Sequence, residues 1–182
     1  MSGVAMGEIL IAWSARIVVL FYALRLAVDF LVADPVRRER WARLAWTAGC
    51  AVYLLHVGLA FHFLHHWSHA AAVAHTARRT FEVVGINWGG GIYINYAFTV
   101  LWVADVAWWW IRAARHEPTP AAAYWSVHAV FAFMFLNATV VFGPPFWKWI
   151  VAAGFCLLIA ARLLLPRTSE WQQVPSNSAG NT

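Results

Sequence analysis

The sequence predicts an all-α integral membrane protein: a bundle of five transmembrane helices, with the N-terminus outside and the C-terminus cytoplasmic. Three observations carry this reading. The 182 residues are 62% hydrophobic and include 13 Trp, with a mean hydropathy of +0.60. A soluble domain of this size cannot bury that much apolar surface, so lipid must be the solvent for much of it. The apolar residues fall into five stretches, each near the ~20 residues that a helix needs to cross a bilayer. Finally, Arg and Lys are distributed unevenly among the segments that join these stretches.

The first stretch covers about 8–33. No basic segment precedes it and it is too long for the apolar core of a signal peptide, so it reads as a span. "ADPVRRER" separates it from the second, about 44–67. "VGINWGGGI" leads into the third, about 91–111, and "HEPTP" divides that from the fourth, about 124–142. "GPP" is a tight link to the fifth, about 146–165. Backbone groups cannot remain unpaired in lipid, so all five are expected to be helical. Residues 68–90 form a His- and Gly-rich external segment. The polar tail, 167–182, lacks the apolar content to fold and is expected to be disordered. No internal repeat or second domain is evident.

Orientation follows from the basic residues. Arg37, Arg38, Arg40, Arg43, Arg112, Arg115, Arg162 and Arg167 fall on one side, against Arg78, Arg79 and Lys148 on the other. The richer side is cytoplasmic, which puts the histidine-rich segment outside. In a bacterium this is a multi-pass protein of the inner (cytoplasmic) membrane. Trp88, Trp147 and Trp149 on one side and Trp108 to Trp110 on the other suit the two interfacial belts. The net charge of +5 does not point to nucleic acid, because no basic stripe with interleaved aromatics exists. The expected partners are the lipid bilayer and other membrane subunits or a second copy of the chain. Cys50 and Cys156 sit in apolar stretches with no CxxC or CxxCH, and read as small buried hydrophobes.

"FHFLHHWSHAAAVAHTARRT" holds five of the eight histidines: His62, His65, His66, His69 and His75. If the second helix continues through it, His62 with His66 and His65 with His69 form i, i+4 pairs, and all four lie within an arc of about 100°. Imidazoles spaced this way can share a metal ion. Further ligands must come from elsewhere: His75, should the helix break after Trp67, and Glu82, the only carboxylate in the external segment. Asn87, Tyr93, Asn95 and Asn137 are candidate supporting groups. Without a thiolate or methionine cluster, the expected metal is Cu, Fe or Zn. "HFLHH" also has the HxxHH spacing of a histidine box of membrane di-iron desaturases and hydroxylases, but those enzymes need several boxes and no second one occurs here. No family resemblance is assigned on five residues.

Ionisable residues also lie inside the predicted spans, where each is costly. Arg25, Asp105, His128 and Arg162 fall about 20–25 Å from the outer ends of their helices, and His56 about 16 Å. This intramembrane polar layer, with Asp29, is expected to satisfy itself, Arg25 pairing with Asp29 at i+4 and with Asp105 across helices. A haem b held by His56 and His128 is an alternative cofactor. "GINWGGGIYINY" is expected to be a tight or re-entrant entry to the third helix, lying over the histidines. The leading expectation for function is a histidine-ligated metal or cofactor site at the outer face, in a redox or metal-handling subunit of a larger membrane complex. The alternatives are a haem b electron carrier and a non-catalytic scaffold or assembly subunit.

Overall fold

The computed structural model describes residues 3–164; the predicted polar tail, Arg167 and the side chain of Arg162 lie outside the described residues. Every regular element described is helical: α1 (Gly3–Leu31), α2 (Pro35–Phe63), α3 (His69–Val84), α4 (Gly91–Ala114), α5 (Ala121–Leu136), a π-turn (Asn137–Val141) and α6 (Phe146–Leu164). Three of the helical stretches, Ala5–Leu31, Pro35–Phe63 and Ala121–Val141, are long and apolar enough to cross a membrane. The surface agrees with that: large apolar side chains such as Leu20, Val100, Trp125 and Trp149 are exposed.

α2 begins well before the apolar stretch read from the sequence. Asp34 caps it, accepting from the backbone N–H of Val36 at 2.9 Å and of Arg37 at 3.3 Å, with Pro35 in the first turn. Charge keeps Arg37 to Arg43 out of lipid, but Arg is a good helix former and nothing stops the turn from continuing. The link from α1 is therefore very short, and α1 and α2 pack as an antiparallel hairpin. Ala42, Ala45, Trp46, Gly49 and Cys50 bury one face of α2. The small residues in that row let the neighbouring helices approach closely. The aromatic core gathers on this face: Trp46, Trp102 and Phe131 are completely buried, with ring centroids 4.4 to 5.2 Å apart. Cys50 is buried as expected, whereas Cys156 is exposed.

α2 does not continue through the histidines. It ends at Phe63, and the chain turns a corner in which His66 and Trp67 both have left-handed backbone, φ 48° and 59°. The N–H groups of His65 and Trp67 reach back to the carbonyls of Ala60 and Phe61, closing the helix end. Ser68 then caps a new helix, its hydroxyl accepting from the Ala71 N–H at 3.2 Å. This helix, α3, differs from the irregular external segment expected from the sequence: it is amphipathic rather than apolar, and its cap residues, Ser68 and Gly85, mark it. Gly85 ends α3 with φ 77°, a conformation that glycine adopts without strain. Gly89 then brings the chain back onto α3, where an added Cβ would lie 2.7 Å from the carbonyl oxygen of Val73. The glycine stretch is thus a tight turn folded over α3, and α4 starts at Gly91.

Candidate functional site

A cavity of about 520 Å³ lies among α1, α2, α3, α4, the end of α5 and the link to α6. Its walls come from the first half of α1, the second half of α2, the start of α4 and the π-turn, so it occupies the end of the bundle that carries the histidines. Mostly apolar and aromatic, with a few convergent polar groups, it has the size and make-up of small-molecule sites, which run about 300–1,000 Å³. The π-turn is part of the wall. Its backbone closes with the Phe142 N–H on the Asn137 carbonyl at 2.9 Å, and Thr139 is buried there with its hydroxyl donated to the Phe135 carbonyl at 2.6 Å. Such wide turns recur at functional sites.

Two histidines meet on the cavity wall, and they are not an i, i+4 pair. The break after α2 turns His65 inward, and α3 carries His75 back to it, with ring centroids 5.2 Å apart and planes at 69°. His65 is buried, and its Nδ1 has no hydrogen-bond partner. Burial lowers the pKa of His65, helped by His75 and His66. Burial also lowers that of His75, followed by Arg78 and Arg79, with Glu82 opposing. Both rings are thereby kept in the neutral form that can ligate a metal. Arg78 makes a long 3.4 Å contact with Nδ1 of His75, weak enough for an ion to displace.

The other predicted ligands are dispersed. His62 is exposed against Phe63, and His66 is exposed in the corner. The expected His62–His66 and His65–His69 helical pairs do not form, because the left-handed corner breaks the helix between their members. His69 is held by the hydroxyls of Tyr96 and Tyr93, at 3.0 Å from Nδ1 and 3.2 Å from Nε2, which occupies both ring nitrogens. Glu82 pairs with Arg79 at 2.6 Å. Among the described residues, no three His, Cys, Asp or Glu side chains come together in one group.

The polar layer lies at the opposite end of the bundle, and one of its pairings differs from expectation. Arg25 does pair with Asp29, one turn on, and Asp29 also accepts from the Tyr124 hydroxyl at 2.9 Å. Asp105 is not the partner of Arg25: it accepts from the indole Nε1 of Trp46 at 2.8 Å. The guanidinium instead stacks on Trp109, 4.4 Å from the ring centroid. Stacking on an aromatic face satisfies a desolvated guanidinium without a second carboxylate. His128 lies beside Tyr124, with centroids 4.2 Å apart, on a small cavity of about 40 Å³ that Arg25 and Asp105 also line.

His56 lines the large cavity and His128 the small one. Between them stand the rings of Tyr53, Trp102 and Trp46, each 5.2 Å from the next. The two imidazoles do not face one shared space. No family model matches the chain, and no curated protein or solved structure matches it.

Proposed function

We propose that this chain is a five-span membrane protein whose extracytoplasmic end carries a histidine-lined metal site built on His65 and His75, and that it acts as a redox or metal-handling subunit of a larger membrane complex. The observation that supports the reading is the His65–His75 pair on the wall of the large cavity. A metal sits about 3.2 Å from the centroid of an imidazole that binds it, so two imidazoles on one tetrahedral ion have centroids about 5 Å apart. The separation of 5.2 Å fits this, and the buried, unpartnered Nδ1 of His65 is accounted for by an ion. Two protein ligands leave coordination positions for water or for a molecule in the cavity, as an exchanging or reactive site requires and a closed structural site does not. Cu, Fe and Zn all accept imidazole.

The span count adds α4 and α6 to the three long apolar helices. At 24 residues α4 is about 36 Å long, enough for a bilayer, and its Trp, Tyr and Asp side chains lower its hydropathy without shortening it. The excess of Arg at the start of α2 and the end of α4 supports a cytoplasmic placement of that end, and hence an outer placement of the cavity.

Equilibrium dialysis of tag-free protein in detergent against Zn, Cu and Fe tests the metal reading. About one ion per chain should bind, and His65→Ala or His75→Ala should each weaken binding at least about tenfold, while His62→Ala should not. A folded protein that binds none of the three metals would support the scaffold alternative instead.

A further inference from the structure

The hydrogen bonds inside the large cavity fix which polar atoms remain free, and those atoms select a ligand. Nδ1 of His56 contacts the Ile11 carbonyl at 3.2 Å and Ser14 Oγ at 3.0 Å. A carbonyl only accepts, and Ser14 gives its own proton to the same carbonyl at 3.0 Å, so the His56 proton is on Nδ1. Nε2 is therefore an acceptor, and it has no partner among the described residues. Tyr53, one turn earlier on the same wall, follows the same logic. Thr99 donates its hydroxyl proton to the Asn95 carbonyl at 2.8 Å. The 3.1 Å bond between Tyr53 and Thr99 must then be donated by Tyr53, which leaves a lone pair on Tyr53 Oη. The rings of His56 and Tyr53 both line the cavity, with centroids 6.4 Å apart and planes at 29°, and each ring carries one free acceptor. Donors also stand on the wall, among them Arg16, Asn95 and the indole N–H of Trp147, and these belong to partly or fully exposed residues.

Around this pair the wall is aromatic: Phe61, Tyr96, Phe98, Phe135, Phe142 and Trp147. A flat ring carrying hydroxyl groups matches both features. Its hydroxyls donate to Nε2 and Oη, its faces stack on the aromatic wall, and an apolar tail extends toward lipid. We infer that the cavity binds the ring of a membrane-soluble hydroquinone, held as a hydrogen-bond donor to His56 and Tyr53. The oxidised quinone presents only acceptors, so it leaves both atoms unpaired and binds less well. This inference goes beyond the metal proposal and stands on different residues from His65 and His75.

The test uses the full chain in detergent, stripped of metal with a chelator, so that its outcome is independent of metal binding. Anaerobic titration calorimetry compares a decyl-substituted benzoquinol with the matching benzoquinone. Each hydrogen bond is worth roughly fivefold in affinity, so the quinol should bind at least about fivefold more tightly than the quinone. Tyr53→Phe keeps the ring and removes the acceptor, and should weaken quinol binding by about the same factor while leaving quinone binding unchanged. His56→Leu should reduce the quinol preference likewise. Ala60→Phe fills the cavity and should abolish binding of both, with circular dichroism confirming that each variant is folded. Equal affinity for the two forms, binding that survives Ala60→Phe, or a co-purified phospholipid that the quinol does not displace would overturn the inference.

Discussion

Removing the carboxylate of Asp29 is the sharpest test of how the intramembrane charges are arranged. Arg25 is buried, and Asp29 is its ion-pair partner, with Tyr124 donating to the same carboxylate. Asp29→Ala leaves the guanidinium without its ion-pair partner, and breaking a buried pair in this way costs about 3–5 kcal/mol. Removing the charge as well, in the Arg25→Met/Asp29→Ala double variant, should cost less than the sum of the single variants, with a coupling of about 2 kcal/mol or more. Asp105 behaves differently. Its partner is the indole of Trp46, and in Asp105→Asn the amide oxygen can still accept that bond, so the loss should be about 0.5–1.5 kcal/mol. Its coupling to Arg25→Met should stay below about 1 kcal/mol. Unfolding of the protein in mixed detergent, followed by circular dichroism, measures all the corners of both cycles. A coupling of Arg25 to Asp105 as large as that to Asp29 would refute the arrangement.

Three further outcomes are expected. His66→Gly should stabilise the protein by up to about 1 kcal/mol in the same assay, because a non-glycine residue in left-handed backbone costs about 1–2 kcal/mol and glycine returns part of that as unfolded-state entropy. Metal-free protein should lose stability as the pH falls below about 6.5: with their folded pKa values lowered, His65 and His75 bind more protons when unfolded, so their contribution is complete above that pH and declines beneath it. The His65→Leu/His75→Leu double variant should show a flatter pH profile over that range. Reporter fusions after Arg43 and Arg115 should read cytoplasmic and one after Arg79 external, and a cytoplasmic reading at Arg79 would invert the proposed topology.

The helical class and the apolar stretches were legible because lipid imposes a composition that few other environments demand. The ends of the helices were less so. Hydropathy marks where lipid stops, and α2 extends past that limit into Arg37 to Arg43 because helices do not require apolar residues. The corner at His66 and Trp67 was hard to read for another reason: His enters left-handed backbone more readily than most residues but Trp does not, so the break is only weakly announced. The capping residues Ser68 and Gly85 were the available signal for α3, an amphipathic helix too polar to register as a span. That one corner decides the site, since it parts His62 from His66 and His65 from His69, and lets His75 approach His65. The pairing of Arg25 with Asp29 followed from spacing alone. The bond from Trp46 to Asp105 joins α2 to α4 and could not be read before the helices were packed.

X-ray absorption spectroscopy of metal-loaded protein reads the ligands of the ion, because imidazole leaves a characteristic multiple-scattering pattern. With His65 and His75 as ligands, about two histidines per ion are expected at about 2.0–2.1 Å, falling to one in His75→Ala and unchanged in His62→Ala and His69→Ala. A spectrum with no imidazole scattering, or one that His75→Ala leaves unaltered, would contradict it.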